Sequence, residues 1–287
     1  MKIITLTSDM GHRDYYVGVL KGSIYKRVPD VNLVDISHEV SPFNILEASY
    51  HLRSSIADFP DETIHLIAVN SEPNININQP SSNDEWPMVM RYMNQYFVGI
   101  DNGIFSLILR DDVAQGFFRM TESMTRPDAA RFPAKNLLAR IAADIANGIS
   151  LDSLGEQTDY CKKALALTPI SDENVIVGHV VHIDRFGNLI SNISQDLFRR
   201  VGRDFPFTIF FRNKNYFIDK ICDNYHEVPH GERLAMFNSI GLLEIAINQG
   251  ALGNGGGANT LFGVKVNDVV RIEFTPPGSK ESLFEML

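Results

Sequence analysis

Ile3-Ile4-Thr5-Leu6-Thr7-Ser8-Asp9-Met10-Gly11-His12-Arg13-Asp14-Tyr15-Tyr16-Val17-Gly18 passes from strand-forming to helix-forming sequence within a short span. The β-branched and apolar run over residues 3–7 predicts a buried strand. Asp9 and Gly11 interrupt it. Beyond them Tyr16, Val19, Leu20, Ile24 and Val28 recur at helical spacing, which predicts an amphipathic helix with Asp14 as its N-cap. In open α/β sheets ligands gather outside the carboxyl ends of the strands, and Asp9 and Asp14 fall at such an end. A carboxylate there can accept two hydroxyl hydrogen bonds from a ribose or pair with an ammonium group. Both residues can equally serve as turn and cap residues with no ligand, and the local sequence leaves the two readings open.

The alternation continues downstream. Residues 32–37 read as a second strand and residues 44–56 as a second helix, with Ile45, Leu46, Ser49 and Leu52 on one face. The apolar run over residues 64–69 has the continuity of a strand buried on both faces. Residues 71–85 contain four Asn, two Pro and three Ser, which predicts a long, mobile loop. Residues 89–92 and 96–100 read as two strands joined through Met93-Asn94-Gln95, and residues 104–109 as a short helix. Residues 132–147 carry Leu137, Leu138, Ile141, Ala142 and Ile145 at helical spacing and stop at Gly148.

Near the Pro-containing stretch of residues 165–171 the composition changes. Strand candidates then dominate, at residues 175–183, 189–193, 206–211, 216–221, 234–238, 242–247 and 269–274. The expected architecture is an α/β domain with a largely parallel sheet over residues 1–168, and an all-β small barrel over residues 169–287.

Composition narrows the function. Of the 287 residues 44% are hydrophobic and 21% charged, an ordinary globular balance. No apolar run approaches the roughly 20 residues of a membrane span, and a strand follows the first Lys directly, so a cytoplasmic location is expected. The net charge is −9 and the basic residues form no stripe, which argues against a nucleic-acid partner. Cys161 and Cys222 belong to no metal-ligand spacing, and two free thiols are expected. His179 and His182, three apart in a strand, point to opposite faces, so no metal site is expected.

Other motifs are ambiguous by themselves. Asp184-Arg185-Phe186-Gly187-Asn188 assembles a carboxylate, an aromatic face and a carboxamide, groups that suit an amine, a purine ring and a purine edge. It also reads as a plain turn. Asn238-Ser239-Ile240-Gly241 reads as a second polar turn. The glycine run over residues 253–257 is a poor dinucleotide fingerprint, because too little chain follows it for a further helix, strand and acidic residue.

In order along the chain, ITLTSDMGHRDYYVGVLKG (4–22), VDISHEVSPFNILEASYHL (34–52), FPDETIHLIAVN (59–70), YFVGIDNGIFSLIL (96–109), HIDRFGNLISNI (182–193) and FNSIGLLEIAINQG (237–250) resemble the S-adenosylmethionine hydroxide adenosyltransferase family. These are the hydrolase relatives of the fluorinase and chlorinase enzymes. The resemblance implies an N-terminal α/β domain, a C-terminal barrel, and a homotrimer binding S-adenosylmethionine between subunits, with no cofactor. It places Asp9 on the ribose diol, Phe43 over the sugar, Asp14 and Asp184 on the methionine ammonium, Phe186 and Asn188 on the adenine, and Ser239 on the methionyl carboxylate. Gln249 falls where the backbone meets the adenine amine.

The implied activity is cleavage at C5′ by water, giving adenosine and methionine. The alternatives are an S-adenosylmethionine or adenosine binding protein without turnover, and an adenosyltransferase using another nucleophile. Family hydrolases activate water with an Asp in a VVDPGVG segment, an Arg beyond it and a His in a TFHGRD segment. This chain has Asn70, Ile77 and Pro133 at the matching positions, with Glu72 or Lys135 as possible substitutes. The carboxylate-clamping arginine of the halogenases is replaced by Ile240.

Overall fold

A computed structural model describes residues 2–75, 81, 84–121, 128–129, 131–251 and 255–277, apart from the side chains of 213–215. The chain divides into two units, Met1–Ala166 and Leu167–Leu287.

In the first unit the strands are β1 (Lys2–Ser8), β2 (Val31–Ser37), β3 (Ile64–Ala68), β4 (Pro87–Tyr92), β5 (Gln95–Ile100), β6 (Gly116–Arg119) and β7 (Glu156–Thr158). They form one sheet in the order β2-β1-β3-β5-β4-β6-β7. The pairs β1–β2, β1–β3 and β3–β5 are parallel, and the remaining edge is antiparallel. The helices are α1 (Tyr16–Tyr25), α2 (Ile45–Arg53), α3 (Ile104–Leu109), α4 (Ala139–Ala146) and α5 (Leu151–Leu154). One apolar layer joins Ile4, Leu6, Leu66 and Val98 to Leu20, Ile24, Leu138 and Ala142. A second joins Ile67, Met90 and Phe97 to Ala48, Leu52 and Phe105. The continuous apolar runs of β1 and β3 reflect this double burial.

Three local expectations are corrected. Asp14 does not cap α1: Tyr15 is at the N-cap position and no side chain bonds the helix end. The second helix stops at Arg53, capped by Asn44 accepting the Glu47 N–H, and a 3₁₀ turn follows at Ile56–Asp58. The helix predicted over residues 132–147 begins with a π-helical turn, Ala134–Leu138. In the long loop, Asn74 and Glu85 pair as an antiparallel bridge, while residues 76–80 and 82–83 of the stretch predicted to be mobile lie outside the described residues.

The second unit comprises β8 (Ile170–Asp172), β9 (Val175–Ile183), β10 (Leu189–Ser194), β11 (Phe207–Phe211), β12 (Asn213–Ile218), β13 (Arg233–Phe237), β14 (Leu242–Ile247) and β15 (Val269–Phe274). Their order is β12-β11-β15-β9-β10-β14-β13, with β8 on β9, and all pairs are antiparallel. Beyond β12, Ile221 bridges Ala235 of β13, and the Cys222 N–H donates to the Ala235 carbonyl, so the sheet curls into a nearly closed barrel. Residues 170–171, read as linker, belong to β8. Two short helices were not foreseen, α6 (Gln195–Gly202), capped by Ser194, and α7 (Ala258–Phe262). Cys161 and Cys222 are both buried free thiols.

Two buried ionisable groups in the first unit make opposite contributions to stability. His65 on β3 is fully buried, with Nδ1 2.7 Å from Thr5 Oγ1 and Nε2 3.1 Å from Gln95 Oε1. Gln95 donates its amide to the Ile56 and Phe59 carbonyls, so its oxygen faces the ring and accepts from Nε2–H. Burial pushes the His65 imidazole down to about 4, against the opposing Gln95 bond. Between about pH 4 and 6.5 the unfolded chain holds the extra proton, so His65 stabilises the fold above that window and loses its contribution on acidification.

Asp101, 4% exposed, accepts the Lys162 N–H on both oxygens, and burial pushes it up to about 6. Here the folded chain holds the extra proton between about pH 4 and 6, so stability falls as pH rises. Each shift corresponds to about 3 kcal/mol, and the two nearly cancel where their windows overlap. Asp101→Asn should therefore expose the His65 slope, adding about 3 kcal/mol of stability loss between pH 6.5 and 4 in denaturant titrations. An unchanged slope would mean that the two groups do not titrate as described.

Candidate functional site

The first group of candidates is organised by Asp9, immediately beyond β1. Its Oδ2 accepts the backbone N–H of Phe43 at 2.8 Å and of Asn70 at 3.2 Å. One oxygen thus ties the turn after β1 to the loops that follow β2 and β3. Among the described residues, Oδ1 has no hydrogen-bond partner. Phe43 and Asn70 both take positive φ, 64° and 45°, a conformation uncommon for any residue with a Cβ and especially for a bulky one. The Asp9 bonds offset part of that strain. Asn70 is further held by Asn102, whose Nδ2 donates to the Asn70 carbonyl at 2.9 Å. Sequence reading missed this buried support.

The Phe43 ring is 71% exposed. Asp14 is also exposed and, among the described residues, its carboxylate has no hydrogen-bond partner. Since it does not cap α1, both oxygens are open. Tyr15 and Tyr16 stack obliquely at 4.7 Å, and the Tyr16 ring meets Phe132 edge-on at 5.5 Å. Phe132 takes φ 56°, and Pro133 behind it is buried at the start of the π-helical turn. Pro133 has no side-chain donor or acceptor and no N–H. Asn70 carries an amide that takes no proton near neutral pH. Glu72 is exposed beyond β3, and Ile77 lies outside the described residues.

The second group, in the barrel, is organised by Asp184. Its Oδ1 accepts the N–H of Phe186 and of Asn188, each at 2.9 Å, and its Oδ2 accepts Asn188 Nδ2 at 3.0 Å. Asp184 therefore builds its own turn while keeping lone pairs on Oδ2. The Phe186 ring is 60% exposed, and the Asn188 side chain is buried and oriented by the carboxylate.

Of the glycine run, residues 253 and 254 lie outside the described residues, and Gly257 has a packing explanation. A Cβ on Gly257 would lie 2.2 Å from the Phe186 carbonyl oxygen, and the Asn259 N–H donates to the Gly187 carbonyl at 2.9 Å. Gly257 permits the close approach of two backbones, a structural purpose unrelated to nucleotide phosphates.

Glu244 on β14 was missed. It is 6% exposed, accepts the Tyr225 hydroxyl, and is pushed up by burial, with the nearby Asp184 charge adding to the shift. A carboxylate in the all-buried strand Leu242–Ile247 was the available signal. Ser239 is exposed at the tip of the β13–β14 hairpin, where Asn238 Oδ1 accepts the N–H of Ile240 and Leu242. Gln249 takes φ 57° and lines a cavity of about 370 Å³ with His230, Asn248, Gly256 and Leu261.

The α/β unit and the barrel unit each present a carboxylate-organised turn beside an exposed aromatic ring. The chain belongs to the SAM hydroxide adenosyltransferase family: the family's N-terminal domain model matches residues 4–155 and its C-terminal domain model residues 178–271. It is 31% identical over 255 residues to the (R)-S-adenosyl-L-methionine hydrolase of Methanocaldococcus jannaschii, covering 86% of this chain and 88% of that one. The Thermus thermophilus protein of the same name is 26% identical over 285 residues, 95% and 100% of the two chains. A crystal structure of an uncharacterized conserved protein from Thermotoga maritima superposes with TM-score 0.80 at 28% identity, covering 94% of this chain and 99% of that one.

Proposed function

We propose that this protein cleaves S-adenosylmethionine at C5′, releasing methionine and, with water as nucleophile, adenosine. The observation that carries this reading is the match to both family domains in order, together with relatives named as S-adenosylmethionine hydrolases over nearly their full length. The Asp9 geometry supports it: Oδ2 is anchored by backbone, leaving Oδ1 to accept from a ribose diol.

In this reading Phe43 covers the sugar, and Asp14 with Asp184 receives the methionine ammonium through charge-assisted bonds. Phe186 stacks on the adenine and Asn188 reads its edge. Ser239 donates to the methionyl carboxylate, and the backbone at Gln249 meets the adenine amine. Asn70 contributes as a binding residue, since its amide is no base.

The sulfonium is already a good leaving group, so the reaction calls on no cofactor, and catalysis rests on aligning and desolvating the nucleophile. A homotrimer and a cytoplasmic location are part of the same proposal. No helix among the described residues is long and apolar enough to cross a membrane.

The test is incubation of the purified chain with S-adenosylmethionine and chromatography of the products. Adenosine and methionine in equal amounts are expected. Intact ligand retained by the protein would replace this reading with a binding protein, and a different adenosyl product would identify another nucleophile.

A further inference from the structure

The turn that carries Asp9 is held from one side by a single buried imidazole. The His38 side chain, just beyond β2, is fully buried. Its Nδ1 lies 2.6 Å from Ser8 Oγ, and its backbone carbonyl accepts the Gly11 N–H at 2.7 Å. Its ring meets the His12 ring edge-on at 5.1 Å between centroids. These contacts straddle Asp9, one before it in sequence and two after.

On the opposite edge, His38 Nε2 is 3.1 Å from Asp35 Oδ1, a close contact without the alignment of a hydrogen bond. Asp35 Oδ2 in turn accepts Lys21 Nζ at 2.6 Å. Lys21 is on α1 and Asp35 on β2, both partly exposed.

The protonation pattern follows from what each group can do. A carboxylate only accepts, so the imidazole proton belongs on Nε2, facing Asp35. Nδ1 then presents a lone pair to the Ser8 hydroxyl, whose oxygen also receives the Met10 N–H at 3.5 Å. If Nδ1 gains a proton, Ser8 Oγ has to accept from it, and the hydroxyl hydrogen is left buried without its acceptor. An unsatisfied buried donor of this kind is costly.

We infer that His38 is a positioning residue: its neutral imidazole clasps the turn of residues 8–12 and so fixes the Asp9 carboxylate for the adenosyl ligand, and protonation loosens that clasp. The inference rests on the proposed ligand, but its structural half is measurable without it. The groups facing His38 set the pH at which this happens. Burial lowers its affinity for a proton below the ordinary imidazole, Asp35 opposes that, and Lys21 and His12 reinforce it. The clasp therefore persists through neutral pH.

Hydrogen–deuterium exchange of a peptide covering residues 8–12, corrected for the intrinsic pH dependence of exchange, gives a midpoint at which protection is lost on acidification. Asp35→Asn should move that midpoint to lower pH, and Lys21→Met should move it higher. His38→Asn keeps an acceptor near the Nδ1 position, so protection should remain while the midpoint disappears. His38→Ala should lose protection at every pH. With S-adenosylmethionine, His38→Ala should raise KM about tenfold and leave kcat within about threefold, as expected when one buried hydrogen bond of a binding turn is lost. A midpoint that ignores Asp35 and Lys21, or that vanishes only in His12→Asn, would overturn the assignment. If the wild-type protein does not turn over the ligand, the proposed function fails, and the exchange measurements still decide the role of His38.

Discussion

Asp9→Asn is expected to weaken binding of S-adenosylmethionine or adenosine about ten- to a hundredfold while the fold stays intact. The magnitude is that of charge-assisted hydrogen bonds to a ligand hydroxyl, about 1.5–3 kcal/mol. The fold survives because the amide keeps one carbonyl oxygen, which can take the place of Oδ2 and accept the N–H groups of Phe43 and Asn70. The amide nitrogen is then left facing the ribose, where it donates to a diol that calls for an acceptor. Asp9→Ala is predicted to behave differently. It removes the acceptor that holds two positive-φ residues, so it should lower thermal stability as well as affinity. Calorimetric titration beside thermal melts separates the two variants. Equal affinity in wild type and Asp9→Asn would remove Asp9 from the ribose.

Sequence alone revealed the parts of the molecule in which one periodicity runs long enough to be read. The apolar runs of β1 and β3 and the helical spacing of α1 are of this kind, because each buries a whole face. β6 and β7 are only a few residues long and were missed, since their pairing is decided by the neighbouring strand rather than by their own pattern. α6 has Leu197 and Val201 as its buried anchors, too few to stand out from strand-like neighbours.

At the site, the acidic residues and aromatic rings were legible as types. What they bond was not. Asp14 looked like a cap and is free of the helix, while Asp184 read both as a turn residue and as a ligand group and does build its own turn. His38, Asn102 and Glu244 act from beneath the surface, and their purpose depends on contacts between segments far apart in sequence.

The turnover number should be low and nearly independent of pH from 6 to 9. This follows from the resemblance, which sets Asn70 and Pro133 at the positions where family hydrolases carry a water-activating Asp and His. Asn70 spends its carbonyl on Asn102 and its N–H on Asp9, and its amide has no proton affinity in this range. Pro133 is buried at the start of a π-helical turn and offers no group at all. General-base assistance usually contributes about 10²–10⁴-fold, so kcat should fall short of a relative with both groups by that order. Ligand affinity need not follow, because the residues assigned to ribose, adenine and ammonium are separate from the two lost positions.

The His38 clasp makes a different prediction for KM, which should rise on acidification as the turn loosens. Reintroducing Asn70→Asp with Pro133→His should recover little. Pro133 sits behind Phe132 at φ 56°, a backbone fitted to the present turn, and a new imidazole there would have no arranged partner. Chromatographic measurement of adenosine formation at saturating S-adenosylmethionine, repeated across this pH range, decides the matter. A rapid, bell-shaped kcat profile would point to another base, and Glu72, exposed just beyond β3, is the first to replace with Gln.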